Sequence, residues 1–392
     1  MPVETKNSFI SGEENITRTD VKTKSSELSD FIEAHRGERQ AIVLQDYPDP
    51  DAISSAWAHQ MISARYGIEC DILYEGRVSH PENLALVQLT EVELVRYTEG
   101  DDLRKYQGTV FIDNQGTTAA LTDRFTAAGV KPLIIVDHHE RQDYIDAEFT
   151  DLRMIGATAT IYTEYIREGL LDLNKGDTRH VQLATSLMHG IRSETGGLIR
   201  AGLDEMEAAS FLTSFIDYTL LESILSAKRS KQAMDVIRMA LADRETRDNY
   251  TICGVGYLRS EDRDAIPQAA DFLLTEENVH TAIVYGIIIK GEKEMVVGSM
   301  RTNKVTLNPD EFLKEALGAT ETGRYYGGGR RGAGGFEIPI GFLSGVAEDD
   351  LARLKWRLYN DLIKKKLFAK IGVHKQTPII ESETTPAGSE ES

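Results

Sequence analysis

The run Ala41-Ile42-Val43-Leu44-Gln45-Asp46-Tyr47-Pro48-Asp49-Pro50-Asp51 decides how the rest of the chain is read. Its first four residues are apolar and mostly branched, the pattern of a buried strand. The seven that follow are polar, acidic and stiffened by two prolines, so the chain leaves the strand through a rigid loop with Asp49 and Asp51 two positions apart. A helical pattern from Ile53 to Tyr66 comes next, then a second strand from Ile68 to Tyr74. Further along, Thr109-Val110-Phe111-Ile112 and Leu133-Ile134-Ile135-Val136 read as two more strands, with a helix around 117–128 between them. Strand–helix–strand alternation predicts an α/β fold with a doubly wound, mostly parallel sheet.

The pattern then turns helical over 157–168, 178–191, 204–214 and 220–241. The last stretch reads as one long helix that bridges two domains, and its basic cluster Lys228-Arg229-Ser230-Lys231 as a solvated face. Strands at 251–257, 281–289 and 294–301 and a helix at 265–274 predict a second, smaller α/β domain. A glycine-rich loop, Tyr325-Tyr326-Gly327-Gly328-Gly329-Arg330-Arg331-Gly332-Ala333-Gly334-Gly335-Phe336, belongs to it. A final helix carries Leu351, Leu354, Leu358 and Leu362 on one stripe, read as core or as the contact of a homodimer rather than as a membrane-surface face. The expected division is a flexible lead-in over 1–27, a first domain over 28–205, a helical connector over 206–249, a second domain over 250–345, a helix over 346–371 and a disordered acidic tail over 372–392.

The chain has 392 residues, enough for two or three domains, with Lys plus Arg 44 against Asp plus Glu 63 and a formal net charge of −19. That field repels a polyphosphate backbone at long range and argues against a duplex nucleic acid partner. The two cysteines, Cys70 and Cys253, exclude a disulfide framework or a cysteine-based metal site and fit a cytoplasmic setting. No uncharged apolar run approaches the ~18–20 residues of a membrane span.

Four acidic or histidine clusters carry the candidate chemistry: the loop Gln45–Asp51, Asp113, the triplet Asp137-His138-His139, and Glu194. Three of them follow predicted strands, where open α/β sheets bind ligands. Oxygen-rich sites with one or two imidazoles suit Mn²⁺ or Mg²⁺. A carboxylate that bridges two such ions, ~3.5–4 Å apart, supports in-line attack on phosphorus.

In this order and at these strand ends, the residues resemble the DHH phosphoesterase family, over roughly residues 38–340. The third family motif is Asp137-His138-His139. The first is met by Pro48-Asp49-Pro50-Asp51-Ala52, the second by Asp113 and the fourth by Glu194-Thr195-Gly196. The second domain resembles the DHHA1-type module, through Ser299-Met300-Arg301-Thr302 and Gly327-Gly328-Gly329-Arg330 with Ala333-Gly334-Gly335. The resemblance implies two Mn²⁺ or Mg²⁺ ions. Asp49, with Gln45 beside it, would hold the first. Asp51, His138 and Glu194 would hold the second, and Asp113 would bridge the two. His139 would face the substrate phosphate, and Asp137 would orient its neighbours. Asp113, His138 and His139 are thus the implied catalytic group. Arg301, Arg330 and the backbone of Gly327, Gly328 and Gly329 would bind the far end of the substrate.

Three positions depart from the family pattern. Gln45 replaces a histidine and offers a harder amide oxygen. Glu194 replaces an aspartate and is one methylene longer. Arg330 replaces a histidine and is permanently charged. The resemblance implies a metal-dependent phosphoesterase that hydrolyses a small nucleotide (a short oligoribonucleotide, a cyclic dinucleotide or phosphoadenosine phosphate) by attack of a hydroxide activated by two metals. The alternative is a non-catalytic nucleotide-binding regulatory protein whose metal site has drifted at Gln45 and Glu194. A third reading is an interaction protein that uses the leucine-striped helix.

Overall fold

The computed structural model describes residues 22–291, 293–330, 332–345 and 349–372. The chain divides after Ala227 into two compact units.

The first unit runs α1 (Lys24–Ala34), β1 (Arg39–Val43), α2 (Pro50–Ala64), β2 (Glu69–Tyr74), α3 (Pro81–Thr90), β3 (Leu94–Arg96), β4 (Gly108–Ile112), α4 (Leu121–Ala128), β5 (Pro132–Asp137), β6 (Phe149–Leu152), α5 (Thr158–Arg167), α6 (Thr178–Glu194), α7 (Leu203–Leu212) and α8 (Tyr218–Leu225). Its sheet has the order β3-β2-β1-β4-β5-β6, parallel throughout. The order reverses between β1 and β4, which makes their carboxyl ends the topological switch point. Alternate residues of β1 feed opposite faces of the sheet. Ile42 and, just past the strand, Leu44 join a core with Leu28, Trp57, Tyr162 and Leu187. Ala41 and Val43 join a smaller one with Phe111, Leu121 and Phe125. Both faces are covered, as the apolar strand pattern requires.

Helix α2 starts where it does because Asp49 caps it, accepting the amide of Ala52 at 3.0 Å, and Pro50 supplies a preset first helical φ. Its length is almost wholly buried. It packs on α6 at Gly190, where a Cβ would lie 2.7 Å from Ser54 Oγ, 3.2 Å from Ala159 Cβ and 3.2 Å from the Cα of Asp51. Glycine at this point allows α2, α5 and α6 to meet beneath the acidic loop.

The second unit runs α9 (Lys231–Asp243), β7 (Glu245–Arg247), β8 (Tyr250–Arg259), α10 (Ala265–Leu273), β9 (Thr281–Lys290), β10 (Lys293–Thr302), α11 (Pro309–Leu317), β11 (Gly327–Arg330), β12 (Ala333–Pro339) and α12 (Asp349–Ile371). Its sheet, β11-β12-β10-β9-β8-β7, is antiparallel except for the β8–β9 pair. Helices α9 and α10 cover one face, while α11 and α12 cover the other. The molecule is therefore α/β throughout, a six-stranded parallel sheet followed by a second, mixed sheet.

Four expectations change. Helix α1 begins at Lys24, inside the stretch read as a lead-in, because Thr23 caps it at Ser26. The single helix over 220–241 is two helices: α8 ends at Leu225, and Ser230 caps α9 by accepting the amide of Ala233 at 3.1 Å. The glycine-rich loop is instead strand β11, a turn and strand β12. Of the two readings of the leucine stripe, the core one falls: Leu351, Leu354, Leu358 and Leu362 stay out of the core and are each 45 to 63 % exposed. The inward stripe of α12 is Trp356, Tyr359, Ile363 and Leu367. It is seated at Gly254, where a Cβ would stand 2.6 Å from the indole, and it is pinned by a buried ion pair of Lys355 with Glu294 at 2.5 Å. The remaining lead-in, 1–21, and the tail after 372 lie outside the described residues.

Gly190→Val should destabilise the first unit by about 1–3 kcal/mol, the usual range for overpacking. Gly190→Ala should cost less, because the Ser54 hydroxyl can rotate away. Urea unfolding followed by tryptophan fluorescence checks the order, and equal midpoints for the three chains would contradict it.

Candidate metal centre

Each acidic residue of the centre is delivered by the end of a β-strand or of a helix. Asp51 sits in the first turn of α2 and is fully buried. Its carboxylate accepts the amide of Thr158 at 2.8 Å and that of Ala159 at 2.7 Å. These are orphan amides of helix α5, whose N-cap Ala157 has no side chain to satisfy them. Asp49 accepts from Ala52 with one oxygen and from the Gln45 side-chain amide, at 3.1 Å, with the other.

Asp113 follows β4 with φ at 60°, in the left-handed region that aspartate tolerates better than most residues. Its amide donates to Val136 O at 3.0 Å, and its Oδ1 accepts the Thr158 hydroxyl at 2.9 Å. Asp137 closes β5. One of its oxygens accepts the amide of His138 at 2.8 Å and Nδ1 of His139 at 2.8 Å. The other accepts the Gln115 amide at 2.8 Å. Asp137 thus organises the turn that presents both histidines. His138 donates from Nδ1 to Ile155 O at 3.0 Å, which fixes its tautomer and leaves the Nε2 lone pair facing inward. That Nε2 lies 3.5 Å from Asp113 Oδ1 and 3.7 Å from Asp51 Oδ2.

Among the described residues, Asp113, His138 and His139 each offer a ligand atom within 4.8 Å of the others. The electrostatics fit a cation. Burial first, then Asp49 and Glu194, holds the Asp51 carboxyl well above the usual range. Burial, then Asp51, Asp49, Asp137 and Glu194, does the same to Asp113. Burial also raises Asp137, but the hydrogen bond from His139 and its charge outweigh this, and Asp137 titrates low. Burial and the adjacent His139 lower His138. Nε2 of His138 is buried with no hydrogen-bond partner. A lone pair with nothing to accept, beside two carboxylates that repel each other, is what a divalent cation would satisfy. The oxygen-rich donor set with imidazole suits Mn²⁺ or Mg²⁺.

The structure therefore gathers Asp51, Asp113, Asp137, His138 and His139. It sets Gln45 on Asp49, and it places Glu194, the last residue of α6, near enough to raise both Asp51 and Asp113. Gln45 acts here as a donor to Asp49, a role the sequence did not suggest. Thr158 and Gln115 are further participants that went unread. Gln115 carries a weak signal, two positions after Asp113. Thr158 carries none, because its role arises only when α5 meets Asp51.

The residues expected to bind substrate in the second unit are arranged differently. The Arg301 side chain pairs with Asp271 on α10 at 2.9 Å and donates to Ser299 Oγ at 2.8 Å. Gly327, Gly328 and Gly329 form the edge strand β11, not a loop. They are glycines because β12 and α11 crowd them: a Cβ on Gly329 would be 2.6 Å from Ala333 O of β12 and 3.1 Å from Pro309 Cβ of α11, and one on Gly327 would be 3.0 Å from both Phe336 Cβ and Leu313 Cβ. The Gly329 amide donates to Asp310 at 3.1 Å. Arg330 ends β11; its side chain and Arg331 lie outside the described residues.

No family model matches the chain. It is 34% identical over 333 residues to the uncharacterized protein MJ1633 of Methanocaldococcus jannaschii, a match that takes in 84% of this chain and 63% of that protein. The chain thus spans less than two thirds of that relative. Among solved structures, exonuclease RecJ bound to manganese aligns at 14% identity over 90% of this chain and 95% of that one, with a TM-score of 0.47. An exopolyphosphatase-related protein from Bacteroides fragilis aligns at 15% identity with a TM-score of 0.61, over 87% of this chain and 97% of that one. The chain has the fold of that exopolyphosphatase-related protein.

Proposed function

We propose that this chain is a DHH-type phosphoester hydrolase that depends on Mn²⁺ or Mg²⁺, and that its substrate is a small nucleotide phosphoester. One observation carries the reading: ligand atoms of Asp113, His138 and His139 lie within 4.8 Å of one another at a parallel-sheet switch point, with a buried, unpartnered imidazole nitrogen among them. Asp49, Asp51, Asp113, His138 and Glu194 would hold the metal. Asp51 keeps this capacity although both its oxygens accept amides, because each carboxylate oxygen has a second lone pair. When bound, divalent ions neutralise phosphate charge and make a water molecule acidic enough to attack phosphorus at neutral pH.

The residues themselves supply order. Asp137 holds His139 by Nδ1, so Nε2 is the nitrogen His139 can offer a phosphate oxygen. The Ile155 carbonyl keeps the His138 ring turned toward Asp113. Thr158 steers one oxygen of Asp113. The same arrangement would also activate the phosphoanhydride of a polyphosphate. The net charge of −19 disfavours long polyanions and supports the short nucleotide. In the second unit, Arg330 is proposed to bind a phosphate. An anion at the Gly329 amide would compete with Asp310.

With Mn²⁺ or Mg²⁺, the full chain should hydrolyse bis-p-nitrophenyl phosphate and a linear dinucleotide faster than polyphosphate. Chelator should abolish turnover, and Asp113→Asn should lower kcat by ~10³-fold or more. Tight nucleotide binding without turnover would make the chain a non-catalytic binding protein instead. Gln45→His places an imidazole beside Asp49 and should tighten Mn²⁺ binding, read by calorimetry. An unchanged affinity would show that residue 45 does not address the metal.

The raised carboxyls also set a pH dependence. Between the range of a free aspartate and their own, Asp51 and Asp113 keep protons in the folded metal-free chain that the unfolded chain releases. Their contribution to stability is thus present at low pH and lost as pH rises through the folded range. In chelator at pH 7, Asp113→Asn should raise Tm by about 2–4 °C, the shift that ~1 kcal/mol produces in a domain of this size. The difference should shrink toward pH 4 and reverse in saturating Mn²⁺. A variant less stable than the parent in chelator would refute the repulsion.

A further inference from the structure

Helix α12 carries a second apolar stripe that its own unit leaves unused. Leu351, Leu354, Leu358 and Leu362 recur at steps of three and four, so they stand one above another along one side of the helix. All four are exposed, Leu354 the most at 63 %. The other side is committed to the core: Trp356, Ile363 and Leu367 pack there, and the buried pair of Lys355 with Glu294 fixes the rotation of the helix. The apolar surface continues past the helix. Phe342 is fully exposed and Leu343 is 45 % exposed, in the short turn Gly341–Leu343. Ile340 donates its amide to Glu294 O at 3.1 Å, and Lys355 reaches the carboxylate of the same residue, so this turn stands beside the first half of α12. Single apolar side chains on a surface are ordinary, but a continuous row of this length marks a contact site.

The charges along the stripe say what covers it. Asp350, in the first turn, is exposed and stands 3.9 Å from the equally open Arg353. Lys365 and Lys366 are exposed toward the other end, and Arg357 and Asp361 between them carry one charge of each sign. The helix is thus acidic at its start and basic toward its end, which makes it complementary to its own reverse. An antiparallel copy brings Asp350 near Lys365 of the second copy at both ends, with Leu351 against Leu362 and Leu354 against Leu358 between them. A parallel copy sets Asp350 beside Asp350 and Lys365 beside Lys365, which repel. An antiparallel pair also closes on itself by a twofold axis, so the same patch serves both copies and no filament grows. The net charge of −19 disfavours an anionic lipid surface as the occupant.

We propose that the chain forms a homodimer through α12, two copies of the helix packing antiparallel about a twofold axis near Leu354 and Leu358, with Phe342 and Leu343 at the rim. Apolar burial holds the pair together, and the charges at its ends set its direction. The dimer is independent of the hydrolase reading, because α12 belongs to the second unit and the metal centre to the first.

Two measurements on the full chain test it. In the first, sedimentation velocity over a concentration series should reach twice the chain mass. The double variant Leu354→Glu, Leu358→Glu should weaken the dimer by about 100-fold or more, because each copy would bury two unpaired carboxylates. Both leucines are exposed in the single chain, so the variant should keep the parent's circular dichroism. A parent that stays monomeric throughout, or a dimer that the double variant leaves intact, overturns the proposal. So does a monomer that binds anionic lipid vesicles through these leucines, since α12 would then be a membrane-surface helix. In the second, chains carrying Leu351→Cys or Leu362→Cys are oxidised separately and after mixing; Cys70 and Cys253 are buried and stay out of the reaction. A disulfide-linked dimer should form in the mixture and in neither variant alone, because an antiparallel pair sets position 351 opposite position 362. Linkage within one variant alone, or none in the mixture, overturns the antiparallel pair. This second measurement introduces no charge, so it decides the matter even if the glutamate variant fails to fold.

Discussion

A single buried carboxylate ties the first unit's chemistry to its fold. Asp51 has no exposure to water, yet it sits among other acids. It is tolerable there because α5 begins directly opposite, with two uncapped amides aimed at its oxygens. A helix N-terminus is a fixed positive pole, and the carboxylate supplies the acceptors that Ala157 cannot. The same contact locates Thr158, whose hydroxyl holds Asp113, and the close approach at Gly190 brings α6 and Glu194 alongside. Three segments distant in sequence thus share one origin, so a shift in any of them is felt by all.

Much of this was legible from local pattern. The strand Ala41–Leu44 and its proline-stiffened acidic loop announce a strand end with a capped helix, because both faces of β1 are apolar and Asp49 precedes a proline. The triplet after β5 is equally readable, since an aspartate that ends a buried strand has backbone amides close by to accept. Thr158 and Gln115 were not legible, because a hydroxyl or an amide acquires meaning only from what tertiary packing puts opposite it. The break between α8 and α9 was lost for a related reason. Leu220 to Leu241 keeps helical periodicity across Ser226 and Ser230, and only the assignment of each half to its own core reveals the interruption. The core reading of the leucine stripe of α12 fell because the helix carries two apolar stripes, and periodicity does not say which one meets Gly254.

The glycine-rich segment shows how one composition admits two causes. Glycines there read as a backbone cradle for an anion, but in β11 and β12 they let the two strands approach each other and clear the surface on which Pro309 and Leu313 of α11 rest. The Asp310 carboxylate, paired with Lys314 at 2.6 Å, already accepts the Gly329 amide. The strand-edge amide of Gly329 is thus already satisfied within the fold.

The left-handed backbone at Asp113 bears on how such a chain changes over evolutionary time. Few residues sit comfortably at φ near 60°, and the favoured ones are asparagine, aspartate and glycine. Aspartate codons reach both of the others by one base change. The steps that cost the backbone least at this position are therefore the ones that remove the carboxylate. A lineage carrying this fold would, on the proposed function, lose its chemistry in one substitution while it keeps its folded state. Silent, well-folded descendants would then lie one mutation away from active ones.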